Sequence, residues 1–248
     1  MTPSEDAEAL PVRLNRFLAE CGLGARRKVE ELVLSGRVSV DGLKAREPGL
    51  KVLPGQVVEV DGRPLAPTRK RYILLYKPAG VLSAVSDIRE KTVIDVLGTQ
   101  FRNLGLFPVG RLDKESEGLL LLTNDGNLAH HLTHPSKGVI KRYDLCLDRT
   151  PSLRDLENFA KGAEVEGRWV KPVSVARLGE MGHAGWIRVF LREGRKRELR
   201  VMAETHGFRV KRLIRTAIGG LEAPGLGPGD FREFSLEELA ELIGIGEK

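Results

Sequence analysis

Gly110-Arg111-Leu112-Asp113-Lys114-Glu115-Ser116-Glu117-Gly118-Leu119-Leu120-Leu121-Leu122-Thr123-Asn124-Asp125-Gly126 sets an acidic residue against the edge of an apolar run. Four consecutive leucines between Gly118 and a Thr-Asn-Asp-Gly stop predict a buried strand, with a turn or a helix N-cap at Asp125. A carboxylate is costly to desolvate without a partner, so Asp113 beside a buried strand points to use in chemistry rather than to packing. Glu115 and Glu117 do not make a glycosidase pair with it, because carboxylates on one short loop rarely bracket a sugar at the separation those enzymes need.

The segments around this stretch read as a mixed domain. Upstream, Tyr72-Ile73-Leu74-Leu75-Tyr76 is a buried strand that stops at Lys77-Pro78-Ala79-Gly80. Thr92-Val93-Ile94-Asp95-Val96-Leu97 is a short helix or turn, and Asn103-Leu104-Gly105-Leu106-Phe107-Pro108-Val109 leads into the aspartate. Downstream, Tyr143 follows a basic pair and opens an alternating strand, and Ser235-Leu236-Glu237-Glu238 is a capping box for a last helix. The glycines from 225 to 229 lack nucleotide-loop spacing, and His130 and His134 have no third ligand type beside them, so neither a phosphate loop nor a metal site is expected.

Residues 12–66 are a separate module. Leu14, Phe17, Leu18 and Cys21 recur at helical spacing up to Gly22 and Gly24. A second helix buries Val29, Leu32 and Val33, ends at Gly36, and carries Arg26, Arg27 and Lys28 in its first turn. Cations there oppose the helix dipole by a few tenths of a kcal/mol, a penalty that an anionic ligand reverses. Val38-Ser39-Val40 and Gln56-Val57-Val58-Glu59-Val60 then meet hairpin turns at Asp41-Gly42 and Asp61-Gly62. Residues 67–71, with a proline and three consecutive cations, are expected to be an unpacked linker to a domain at 72–248, and residues 1–11 a disordered tail.

The chain of 248 residues has 40 Lys and Arg against 34 Asp and Glu, a net charge of +6 that favours a polyanionic partner or a membrane surface. Two cysteines far apart exclude a disulfide framework and read as free thiols of a reducing compartment. No apolar run approaches a membrane span and the start is acidic and polar, so a cytoplasmic protein without membrane contact is expected.

The pattern R-L-D-x-x-S-x-G-L-L-L-L-T-N-D-G resembles the signature of RNA pseudouridine synthases, in the ribosomal-RNA branch that carries an N-terminal S4 domain. The stretch from Ala25 to Gly42 is similar to the S4 pattern A-R-R-K-x-E-E-L-x-x-x-G-R-V-x-V-x-G. The resemblance implies an α+β fold: a small S4-like RNA-binding module followed by a mixed, mostly antiparallel-sheet catalytic domain. It implies that Asp113 is the nucleophile, that Tyr143 of Lys141-Arg142-Tyr143 stacks on the flipped base, and that Arg200 pairs with the nucleophile. Arg111, Leu112 and Leu213 are assigned to the substrate pocket, and Arg26, Arg27, Lys28, Arg37, Arg195, Lys196 and Arg197 to RNA binding. Arg111 and Asp113, read as neighbours on a strand, should point to opposite faces.

Uridine isomerisation moves a bond from N1 to C5 with no net redox change, so no cofactor is demanded. The partner implied is ribosomal RNA or a pre-ribosomal particle, the expected state a monomer. The Glu-Gly-Arg-Lys-Arg-Glu-Leu-Arg form of the last motif looks more like the large-subunit (23S) members than the small-subunit (16S) ones. A non-catalytic ribosomal-RNA-binding or assembly protein is the alternative from another class, and a base-releasing glycosylase a third.

Overall fold

One apolar stripe on each of two short helices is enough to close the first unit. In the computed structural model, which describes residues 10–178 and 185–243, β1 (Val12–Arg13) leads into α1 (Leu14–Glu20), and α2 (Arg26–Leu34) packs on it. Leu14, Leu18, Val29 and Val33 are buried there with Val38, Val52 and Val58 from β2 (Val38–Val40), β4 (Lys51–Val52) and β5 (Val58–Val60). With β3 (Leu43–Lys44) and β6 (Arg63–Pro64) the sheet order is β3-β2-β5-β6, and β1 pairs with β4. Asp41 and Asp61 have φ of 50°, each followed by a glycine at positive φ, as the expected tight hairpins require. The disordered tail expected at residues 1–11 falls, up to residue 9, outside the described residues.

Two boundaries differ from expectation. Phe101–Leu106 belongs to this first unit instead of the second. The cause is close backbone packing on the end of α1: a Cβ on Gly22 would lie 2.7 Å from the Asn103 carbonyl, and one on Gly105 would lie 3.1 Å from that of Ala19. The linker at 67–71 is also not unpacked. Thr68 donates through both N–H and hydroxyl to the Glu20 carbonyl (3.0 and 2.9 Å), and Arg71 donates its N–H to Asn124 (2.9 Å) and its guanidinium to Glu233 (2.6 Å). A threonine at one end and an arginine at the other, each with acceptors, hold a segment that composition alone reads as loose.

The second unit comprises Arg71–Gln100 and the chain from Phe107 onward. Its strands are β7 (Tyr72–Lys77), β8 (Phe107–Pro108), β9 (Glu117–Thr123), β10 (Lys141–Leu147), the hairpin β11 (Ala163–Val165) and β12 (Arg168–Val170), β13 (Ser174–Arg177), β14 (Trp186–Leu191), β15 (Val210–Ile218) and β16 (Phe231–Phe234). Between them lie α3 (Val93–Leu97), α4 (Gly126–Thr133), α5 (Leu153–Lys161) and α6 (Glu198–Thr205), and α7 (Leu236–Ile243) follows β16. The main sheet runs β13-β14-β10-β15-β9-β7-β16, with β8 added against β9, and is antiparallel except where β15 meets β9. This is the mixed, mostly antiparallel α+β architecture expected.

The tetraleucine is the centre of the sheet. Leu119, Leu120, Leu121 and Leu122 are all at most 3% exposed, and each contributes roughly 1.5–3 kcal/mol by burial. Asp125 caps α4 by accepting from the N–H groups of Asn127 and Leu128 (3.0 and 3.3 Å), and Ser235 and Glu238 form the reciprocal bonds of a capping box at α7 (2.8 and 3.1 Å). Gly118 cannot be another residue: φ is +102°, and a Cβ would lie 2.3 Å from the Arg215 carbonyl on β15.

Candidate active site

β9 begins at Glu117, so residues 110–116 are loop and the alternation expected for a strand does not apply to them. Arg111 and Asp113 therefore do not face apart: both line one cleft of about 70 Å³, with Leu112 between them. The loop is held by hydrogen bonds from the segment after β7. Ser83 clamps Leu112, its hydroxyl donating to the Leu112 carbonyl (2.8 Å) and accepting from its N–H (3.1 Å). The Lys114 carbonyl accepts from Gly80 N–H (2.8 Å) and from the Lys77 ammonium (3.1 Å), and the Asp113 carbonyl accepts from Ser116 N–H (3.0 Å). Asp113 is thus fixed through its backbone on both sides, while its side chain stays half-buried at the cleft.

The rest of the cleft comes from remote elements. Tyr143 of β10, Leu191 of β14 and Leu213 of β15 supply its apolar floor, and the turn at 194–197 with the start of α6 supplies its rim. Tyr143 and Leu213 share one face because Tyr143 pairs with Arg215 and Leu145 with Leu213 across β10 and β15. The rim has Arg197 in the left-handed region (φ 53°), with no side-chain cap of its own. Glu198, the first residue of α6, reaches back to the preceding turn, where its Oε2 accepts from the Arg195 N–H at 2.6 Å, and Arg195, Lys196 and Arg197 line the cleft. Its other oxygen is buried without a partner among the described residues, and burial pushes the carboxyl up to about 7.

Of the residues expected at the site, Arg111, Leu112, Asp113, Tyr143, Arg195, Lys196, Arg197 and Leu213 come together here. Arg200 does not. It is buried on α6 and donates to the Val210 carbonyl at 3.0 Å, its Nε has no partner, and no carboxylate lies within 4.0 Å of it among the described residues, so the expected ion pair with Asp113 is not formed. Its position on α6 turns the guanidinium toward the start of β15 instead. In the first unit Arg26, Arg27 and Lys28 are exposed and without carboxylate partners among the described residues, whereas Arg37 is bound to Asp61 (Nε–Oδ1 3.0 Å), each charge holding the other ionised.

Sequence reasoning missed four ionisable groups. The Lys77 ammonium is fully buried between the carbonyls of Pro78 (2.8 Å) and Lys114, and burial pushes it down to about 8 against the pull of Glu117, Glu115 and Asp113. Glu198 is the second, and Lys141 and Arg215, beside Tyr143, are the others. Lys77 had a signal, a lysine at the end of a strand that reads as wholly buried.

The model of the S4 domain matches residues 12–58, and that of RNA pseudouridylate synthase matches residues 71–205, more than half of the chain. The chain belongs to the RNA pseudouridine synthase family. An uncharacterized RNA pseudouridine synthase of Aquifex aeolicus is 39% identical over 94% of each chain, and another, YtzG of Bacillus subtilis, is 38% identical over 92% of this chain and 97% of its own. Ribosomal large subunit pseudouridine synthase B of Bacillus subtilis is 34% identical over 95% of this chain and 97% of its own. A crystal structure of pseudouridylate synthase shares the fold, with a TM-score of 0.65 and 23% identity over 94% of this chain and 100% of that one. This pseudouridine synthase is accordingly an isomerase acting on RNA, with an S4 RNA-binding domain ahead of the catalytic one. Among the described residues no helix is long and apolar enough to cross a membrane.

Proposed function

We propose that the enzyme isomerises a uridine of ribosomal RNA, in the large subunit, with Asp113 as nucleophile. The observation that carries the reading is a half-buried carboxylate, fixed through its backbone, in a cleft with a tyrosine and a leucine for a floor and three cations on its rim. The similarity to a large-subunit synthase over nearly the full length of both chains supports the choice of RNA.

The chemistry follows from these groups. A uridine taken out of its stack lays its base on the Tyr143 ring, against Leu213. Asp113 attacks the glycosidic carbon or the ring, the bond from C1′ to N1 breaks, and the base turns within the cleft. As C1′ joins C5 the bond to Asp113 breaks and returns the free carboxylate, the C5 proton is lost to solvent and N1 gains one, so atoms and electrons balance with no cofactor. Arg195, Lys196, Arg197 and Arg111 hold the strand through phosphates, and Arg26, Arg27 and Lys28 add contacts from the S4 domain.

Mapping pseudouridine in ribosomal RNA from cells with and without this protein tests the reading. A 23S position that loses its pseudouridine is expected. Loss confined to 16S overturns the subunit, and an unchanged map of both overturns the ribosomal target.

A further inference from the structure

On β10, side chains 141, 143 and 145 share one face and 142, 144 and 146 the other, and the register to β14 and β15 extends both faces. On the face away from Tyr143, every arginine has a carboxylate. Arg188 forks onto Asp144 (2.8 and 2.9 Å), Arg212 onto Glu117 (3.0 and 3.0 Å), and Arg142 reaches Glu222 (2.7 Å). On the Tyr143 face Lys141 and Arg215 have none within 4.0 Å among the described residues. Lys141 donates to the carbonyls of Val139 (3.1 Å) and Arg192 (3.4 Å), and Arg215, 3% exposed, donates Nε to the Leu119 carbonyl (2.7 Å) and leaves one terminal nitrogen buried without a partner.

Lys141 and Arg215 both line a second cavity of about 80 Å³, whose walls contain Arg111 and Thr133 and, among the described residues, no acidic one. An ordered water needs only about 10–15 Å³, so the space admits a larger polar group. Burial and the facing Arg215 push the Lys141 ammonium down, and Glu198 offsets this only in part. Two cations held together without an anion are costly, and an anion entering between them relieves both the repulsion and the unused donor. This cavity shares Arg111, Tyr143 and Gly194 with the Asp113 cleft. A group bound in it is therefore joined, across Tyr143, to a base bound in the cleft.

We propose that Lys141 and Arg215 form a binding site for a single phosphodiester of the RNA strand next to the isomerised uridine. The assignment rests on the proposed site of chemistry at Asp113 and adds to it the phosphate that fixes where the strand enters. Free inorganic phosphate shares the ligand chemistry, and the test separates the two sources.

Binding is read in an Asp113→Asn background, where no turnover intervenes, with a stem–loop RNA carrying the mapped uridine. Lys141→Gln is expected to weaken affinity roughly tenfold and to flatten the slope of log Kd against log salt by about 0.7–0.9, the value of one phosphate contact, and Lys141→Arg to restore the slope. In a scan of single neutral methylphosphonates, one position beside the target uridine is expected to cost the Lys141 protein about tenfold and to cost the Lys141→Gln variant nothing further. The melting temperature of the variant without RNA is expected to hold or rise, because a cation facing Arg215 is gone; a purely structural lysine would lower it and leave the slope alone. An unchanged slope in a folded variant, or a methylphosphonate penalty that persists in it, overturns the site. If the variant fails to fold, the scan on the Lys141 protein decides: no sensitive position beside the target ends the proposal. Stabilisation by inorganic phosphate that depends on Lys141, with no change in RNA slope, assigns the cavity to the free anion and overturns the RNA assignment. These affinities need no catalysis, so if no ribosomal uridine proves to be converted, the salt slope with a short oligouridylate still decides the site.

Discussion

The two faces of β10, β14 and β15 carry charged residues and treat them in opposite ways. Away from Tyr143, three arginines are each matched to a carboxylate, and Asp144 is almost fully enclosed by the fork of Arg188. Toward the cleft, Lys141 and Arg215 find only carbonyls, and Asp113 has no cation within 4.0 Å among the described residues. Paired charges satisfy one another and add stability without function. Unpaired ones cost stability and keep their donors and acceptors for a ligand.

Asp113 should show the contrast most strongly. Asp113→Asn is expected to lower the rate of pseudouridine formation by on the order of 10⁴-fold or more, with RNA affinity changed a few-fold and the melting temperature unchanged, since no ion pair is lost. Substantial residual turnover would remove Asp113 from the chemistry. On the opposite face the pattern inverts. Asp144→Ala leaves Arg188 without its carboxylate and is expected to cost about 2 kcal/mol in denaturant unfolding while turnover of the folded enzyme changes little. A stability loss after Asp113→Asn, or none after Asp144→Ala, would erase the contrast.

Two buried groups give it a pH signature. Glu198 sits near 7 against 4.5 unfolded, so the folded state binds the extra proton between these values and stability falls as pH rises through that window. Lys77 sits near 8 against 10.5 unfolded; there the unfolded state binds the extra proton, and stability rises between about pH 8 and 10.5. Thermal melts should show the first slope vanish in Glu198→Gln and the second in Lys77→Met, and persistence of either slope in its variant would show that another group titrates. The smallest effect belongs to the S4 domain. Replacing Arg26, Arg27 and Lys28 by glutamine is expected to weaken RNA binding and flatten its salt slope by about 2, and an undiminished slope would make them an ordinary solvated face.

Much of the site was legible before any coordinates. The loop carrying Asp113, the strand position of Tyr143 and the basic run at 195–197 were each marked by residue type within a few positions, as were the Asp-Gly hairpins and the capping residues Asp125 and Ser235. Arg111 was misjudged because the strand was read as starting too early, and Arg200 because a shared motif gives a residue's place in the chain and not the acceptor it finds.

Near neighbours along the chain set the helical and strand periods, the turns that need positive φ, the caps three residues from their partners, and the chemical types gathered around the cleft. Which charges meet depends on the fold. The pairs Arg188–Asp144, Arg142–Glu222 and Arg212–Glu117 span 44, 80 and 95 residues, and the close approach that places Phe101–Leu106 against α1 joins segments about as remote. Local pattern is fixed by backbone geometry within a turn or two. The partner of a long charged side chain depends on sheet order and register, and one step of register exchanges the paired face for the cleft.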